Sequence, residues 1–268
     1  MKAIKKRIRA WLEPAIERAL GVKLYPSPPF GTDPYSQLRF LREWSSTDVV
    51  FDVGANDGRS VLKMQGYLPS PAIHAFEPVS STFEILRSLT SHLENVHCYN
   101  VALGASAGEH KIYLHERASK NSFSRDWYEP HGSETVRVTT LDAIMDEQGL
   151  DFIHFLKIDT EGHELEVLRG ARNALASSRI AIIQVEVGFD KTVSPHTLLA
   201  DVATLLRAHG YYLHGIFGQS GTRRRVQHPA AWRGRPNDGY RPSLLKLGDA
   251  IFIKADLAPP GDIVEGSA

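Results

Sequence analysis

The segment Asp52-Val53-Gly54-Ala55-Asn56-Asp57-Gly58 follows an apolar run and precedes a stretch with helical spacing. Gly54 and Gly58 allow a tight turn and a close approach of backbone to a ligand. Glycine turns of this kind serve NAD, FAD and nucleotide-sugar enzymes alike. This one lacks the three-glycine spacing of the dinucleotide fingerprint. It also carries Asp52 at its base and Asp57 within it, with Asn56 between the glycines. Two carboxylates repel a pyrophosphate and attract a cation. They suit the sulfonium and α-amino groups of S-adenosylmethionine. A tight turn without a ligand is the plainer alternative.

Two further clusters fit the same chemistry. In Phe76-Glu77-Pro78, Glu77 ends a second apolar run. A carboxylate there can accept hydrogen bonds from both hydroxyls of a ribose; alternatively it only favours the next helix N-terminus. The block Leu156-Lys157-Ile158-Asp159-Thr160-Glu161-Gly162-His163-Glu164 closes another strand. In an open parallel sheet, ligands bind beyond the carboxyl ends of the strands. Asp159, Glu161 and His163 are therefore expected in or beside a cleft, with Glu186 on the neighbouring strand. These four are the candidate catalytic residues, because a carboxylate can orient an acceptor hydroxyl or take its proton. Asp159 and Glu186 can instead hold Mg²⁺. Helix N-terminal charge at Glu161 and Glu164, and a supporting role for His163, remain the alternatives.

Alternating elements must position these residues. Val49–Val53, Ile73–Glu77, Val96–Leu103, Phe152–Asp159 and Arg179–Val187 read as strands. Gly58–Leu68, Ser80–His92, Gly162–Ala176 and Pro195–His209 read as helices between or after them, and Leu141–Gln148 as a short helix. That alternation implies an α/β fold with a mostly parallel sheet and helices on both faces. His110–His115 and Thr135–Thr140 alternate like an inserted antiparallel element. Tyr211–Phe217 and Ala250–Lys254 complete seven strands. Residues 1–45 read as a helical extension and linker, 46–257 as the catalytic domain, and 258–268 as a disordered tail.

Composition limits the partners. The chain has 268 residues, with 31 Lys plus Arg against 31 Asp plus Glu. This zero formal net charge gives no global basic excess for nucleic acid. One cysteine, Cys98, excludes an intrachain disulfide; core packing is its expected role. No apolar run is long enough to span a membrane, and a cytoplasmic location is expected. In the first twenty residues, Ile4, Ile8, Trp11, Leu12, Ala15, Ile16 and Ala19 make an apolar face beside Lys2, Lys5, Lys6, Arg7 and Arg9. Such a helix packs on the body, on a second subunit in a homo-oligomer, or on an anionic membrane surface. Gly218–Gly248 holds seven basic residues, including Arg223, Arg224 and Arg225, against one acid. Arginine clusters recognise phosphate and carboxylate, and Trp232 can stack on a sugar. The expected acceptor is therefore anionic, or carried on an anionic group. A solvated cationic loop is the alternative.

In order along the chain, several blocks resemble the FkbM family of methyltransferases. They are Phe51–Gly58, Ala75-Phe76-Glu77-Pro78, Asn100-Val101-Ala102-Leu103, Val138-Thr139-Thr140-Leu141-Asp142 and Leu156–Ala171. The resemblance implies a class I methyltransferase fold and methyl transfer from S-adenosylmethionine, usually to oxygen and often to a sugar hydroxyl of a glycan, glycolipid or natural product. It implies that the glycine loop (Asp52, Gly54, Asn56, Asp57, Gly58), Glu77 and Asn100 hold the cofactor, that Ser122 touches cofactor or acceptor, and that Lys157–Glu164 borders the reaction centre. Two other functions remain open on the sequence. One is an NAD-dependent sugar oxidoreductase or epimerase. The other is a silent glycan- or lipid-binding module on the same scaffold.

Overall fold

The computed structural model describes residues 33–125, 129–191, 196–222 and 244–255. The N-terminal amphipathic segment, Arg223–Arg225, Trp232 and the tail lie outside them.

Helix α1 (Pro34–Leu41) opens the described chain. Asp33 caps it by accepting from Ser36 N, and Pro34 occupies the first turn, where its missing N–H costs nothing. Strands β1 (Val49–Val53), β2 (Ala72–Phe76) and β3 (Val96–Tyr99) alternate with helices α2 (Arg59–Tyr67) and α3 (Ser80–Thr90). A small sheet follows from β4 (Ala102–Leu103), β5 (Gly108–Leu114) and β6 (Gly132–Thr139). Then come α4 (Leu141–Glu147), β7 (Ile153–Ile158), α5 (Glu164–Arg169), α6 (Arg172–Ala176), β8 (Ile180–Gly188), α7 (Leu199–Ala208), β9 (Tyr211–Thr222) and β10 (Leu244–Lys254).

The main sheet has seven strands in the order β3-β2-β1-β7-β8-β10-β9. The pairs β1/β2, β2/β3, β1/β7 and β7/β8 are parallel, and β10 runs antiparallel to both its neighbours. Strand order reverses between β1 and β7, which is where a ligand crevice forms in such sheets.

Side-chain alternation puts a core on each face. Phe51, Val53, Phe76 and Ile158 face the helices α4 to α7 through Leu141, Leu168, Leu175 and Leu206. Val50, Ile73, Phe155 and Ile182 face α1, α2 and α3 through Leu38, Met64 and Leu86. Cys98 packs half-buried against this second core, beside Thr90 Oγ1. Burying both faces explains why the central strands are nearly continuous apolar runs.

Several expected boundaries move. Residues 96–103 form two strands, with β4 leaving the main sheet to pair with β6. The single helix expected over 162–176 is two short ones. At the break, a Cβ on Gly170 would lie 2.0 Å from the Gly104 carbonyl oxygen, so only glycine lets α5 meet the β4 turn. The last two strands reach Thr222 and Leu244, which pair directly. The Gly218–Gly248 segment is therefore partly strand.

Candidate active site

A cleft of about 540 Å³ opens at the carboxyl ends of β1, β2, β7 and β8. That size suits a cofactor-sized ligand. Gly54, Asn56, Asp57, Glu77, Asp159, Glu161, His163 and Glu186 all line it.

The β1 and β7 turns are pressed together. Gly54 and Ala55 donate to the Phe76 carbonyl at 3.0 Å each, and Asp159 N donates to the Val53 carbonyl at 3.0 Å. Gly54 has φ +79°, and a Cβ there would lie 1.9 Å from the Asp159 carbonyl oxygen. No side chain fits without moving one turn off the other.

Glu77 closes one end. Its Oε2 accepts from Asn56 N at 3.1 Å and its Oε1 from Val79 N at 2.9 Å. Burial raises its pKa to about 7, against these two hydrogen bonds. Each oxygen accepts one hydrogen bond here and has capacity for a second, as a pair of ribose hydroxyls requires. The residues present therefore fit S-adenosylmethionine: Glu77 offers a carboxylate to a ribose, and Asp57, Asp159, Glu161 and Glu186 give the cleft an acidic wall suited to a cationic ligand.

Asp52 and Gly58 lie beneath the wall. Asp52, fully buried, accepts from Ser60 Oγ at 2.5 Å and pairs with Lys157 Nζ at 3.1 Å. Lys157 Nζ also reaches Asp159 at 3.2 Å. Burial alone would discharge Lys157, yet Asp159 and Asp52 outweigh it and hold its ammonium well above the usual range. Asn100 and Ser122 are also off the wall. Asn100 Nδ2 donates to the Glu77 and Pro78 carbonyls at 3.0 and 2.9 Å, and Ser122 Oγ donates to the Glu161 carbonyl at 2.8 Å. Both fix the backbone beneath cleft residues.

The β7 turn is shaped by Glu164, whose side chain is fully buried. Its Oε1 accepts from Thr160 N, Thr160 Oγ1 and Gly162 N, and its Oε2 from Thr197 Oγ1 at 2.5 Å. Glu161, at φ +52°, is thereby turned into the cleft. Its Oε1 meets Lys120 Nζ at 2.7 Å and its Oε2 meets His196 Nε2 at 3.3 Å. His196 Nε2 also lies 3.0 Å from Glu186 Oε2. Burial works against a charged His196, but the two carboxylates raise its pKa to about 9. Burial and the charge of Asp159 raise Glu186 to about 7, against the opposing pull of His196. His163 takes another role. Its ring packs on Phe123 at 4.5 Å, and burial lowers its pKa to about 4. A neutral, weakly basic ring is a poor proton acceptor at neutral pH.

The expected partnership of Asp159 with Glu186 around a metal is not formed. Asp159 is bound to Lys157, and the carboxylate grouped with Glu186 is that of Glu161, together with His196. Three long-range neighbours had no local signal. His196 stands just before α7, Gln184 on β8, and Asp249 on β10. Gln184 Nε2 donates to Asp249 at 3.0 Å, and burial raises the Asp249 carboxyl to about 6. Tyr35 and Lys63 complete this side of the cleft.

The sequence profile of the methyltransferase FkbM domain matches residues 52–213. The hexuronic acid methyltransferase AglP of Haloferax volcanii is 27% identical over 179 residues, covering 65% of this chain and 72% of that protein. The 31-O-demethyl-FK506 methyltransferase FkbM of Streptomyces tacrolimicus is 29% identical over 204 residues, covering 65% and 76%. The 2-O-methyltransferase NoeI of Sinorhizobium fredii is 25% identical over 148 residues, covering 49% and 60%. With the crevice at the strand-order reversal and a matched domain spanning both turns, the chain belongs to the FkbM family of S-adenosylmethionine-dependent methyltransferases.

Proposed function

We propose that the protein transfers a methyl group to a hydroxyl of a carbohydrate or glycoconjugate. The observation that carries this reading is the wall facing the glycine loop. Asp159 just beyond β7, Gln184 and Glu186 on β8, and Asp249 on β10 line the cleft together. Gln184 Oε1 is buried and accepts no hydrogen bond. A wall of acceptors calls for a ligand rich in donors, and a polyol is one. The relatives that act on hexuronic acid and on hydroxyl oxygens favour the same acceptor. Family membership leaves the NAD-dependent alternative without support.

S-adenosylmethionine supplies an electrophilic methyl group on a sulfonium. The protein's task is then placement. Glu77 holds the ribose end, and the pressed β1 and β7 turns fix its distance from the reaction centre. Asp159 has a side chain 36% exposed. It can meet the acceptor hydroxyl, take its proton and pass it to water, while Lys157 holds its orientation. Glu186 orients the same hydroxyl from the next strand.

An anionic acceptor fits best. The basic run beginning at Arg223 follows β9 directly, and Gly218 of that strand lines the cleft. A hexuronic acid, a sugar phosphate or a diphosphate-linked glycan carries the matching charge. The test is incubation with methyl-labelled cofactor and fractionated glycans, followed by mass analysis. Label in an O-methyl sugar supports the reading. Label only in protein, nucleic acid or apolar metabolites overturns it. No helix among the described residues is long and apolar enough to cross a membrane.

A further inference from the structure

We propose that Glu161, Glu186 and His196 form a binding site for a divalent transition-metal ion on the acceptor side of the cleft. The three residues come from separate parts of the chain: the β7 turn, strand β8 and the approach to α7. Their ligand atoms nevertheless lie within 4.8 Å of one another. His196 Nε2 is 3.0 Å from Glu186 Oε2 and 3.3 Å from Glu161 Oε2. A cation bonded at about 2.1 Å to such donors sets adjacent ligands about 3.0 Å apart in an octahedron and about 3.4 Å apart in a tetrahedron. The observed spacings fall in that window.

A second observation points the same way. Glu161 Oε2 and Glu186 Oε2 are buried, and neither accepts a hydrogen bond of good geometry. Carboxylate oxygens turned inward like this need positive charge between them. The surroundings hold the group firmly. Ser122 Oγ donates to the Glu161 carbonyl, and Thr197, beside His196, is tied to Glu164 and to Gly188 N. Such supports keep metal ligands in place. One imidazole with two carboxylates favours Mn²⁺ or Zn²⁺, whereas Mg²⁺ prefers an all-oxygen set.

Glu161 and Glu186 line the cleft and His196 stands behind them. The open coordination positions therefore face the acceptor. A hydroxyl bound there loses its proton more readily, and Asp159, which is not a ligand, is at hand to receive it. This role rests on the function proposed above; the binding itself does not. The rival occupant is a proton, with a charged imidazole alone bridging the two carboxylates.

The experiment uses the full chain stripped with a chelator. Mn²⁺ is titrated by electron paramagnetic resonance and Zn²⁺ by calorimetry, with S-adenosylmethionine affinity measured in parallel. The expected result is one ion per chain, with Zn²⁺ displacing Mn²⁺. His196→Ala, Glu186→Gln and Glu161→Gln should each weaken binding by more than the roughly 10- to 100-fold that a merely supporting residue costs. His196→Asp, which keeps a ligand, should retain part of it. If His196→Ala fails to fold, the two glutamine variants read the same loss, with cofactor affinity as the check on folding. No stoichiometric ion in the parent, or equal binding in all variants, overturns the site. Intact metal binding without transfer to any sugar would instead overturn the acceptor reading alone.

Discussion

The two walls of the cleft are built on different principles. On the β1–β2 side, Glu77 is held by backbone N–H groups of Asn56 and Val79, and its own turn is pinned by Asn100. On the β7–β8 side, side chains hold one another: Lys157 lies between Asp52 and Asp159, and His196 between Glu161 and Glu186. Backbone donors survive any substitution except proline and carry no net charge. A network of buried ions depends on every member, because the loss of one leaves another charge uncompensated. The proposed cofactor wall should therefore respond to substitution locally, and the proposed acceptor wall collectively.

The largest expected effect breaks the bridge between the walls. Lys157→Met leaves Asp52 buried without its cation. The expected loss of folding stability is about 3–5 kcal/mol, read from urea denaturation. A loss under about 1 kcal/mol would show that the ion network is not what holds the two turns together.

Next is Asp159→Asn, which keeps shape and removes charge. Turnover should fall on the order of 100-fold while cofactor affinity, measured by calorimetry, stays close to the parent's. An equal loss in both would return Asp159 to the cofactor side and blur the comparison.

On the other wall, Glu77→Gln should weaken S-adenosylmethionine binding by about 1.5–3 kcal/mol, with turnover at saturating cofactor little changed. The pH dependence has a definite sign. Burial raises Glu77 to about 7, so the cofactor-free carboxyl gains protons as pH falls through that value. In the proposed complex the ribose hydroxyls donate to the ionised form. Affinity should thus be level above pH about 7 and decline below it, and the decline should vanish in Glu77→Gln. A parent whose affinity does not change between pH 5.5 and 8 would remove Glu77 from the ribose.

The smallest effect concerns the basic segment. Replacing Arg223, Arg224 and Arg225 with alanine should raise the acceptor KM and leave cofactor affinity unchanged. Added salt should raise KM more in the parent than in the variant, since screening acts on charges the variant lacks. Equal salt sensitivity with an unchanged KM would make the segment a solvated surface.

Local order in the sequence determined the β1–β2 wall. Gly54, Asn56 and Asp57 are neighbours in the chain, and a strand followed by a glycine turn can place them in only one way. Glu77 and the Asp159–Glu164 turn follow the same logic, because each ends an apolar run that must be a buried strand. The two-faced burial of β1, β2, β7 and β8 was readable for the same reason. On the β7–β8 side the sequence placed Asp159, Glu161 and Glu186, but only the tertiary structure decided what holds them together. His196 and Glu161 are far apart in sequence, as are Gln184 and Asp249, and no spacing rule joins residues on separate strands. The extension of β9 and β10 to Thr222 and Leu244 was equally hidden, because past a register shift the pairing runs through Ser220, Gly221 and Thr222, where β9 has no apolar alternation to announce it. The break at Gly170 depended on the Gly104 carbonyl, which arrives from another sheet. Short-range chemistry is written in consecutive residues, whereas burial, ion pairing and close backbone approach exist only once distant segments have met.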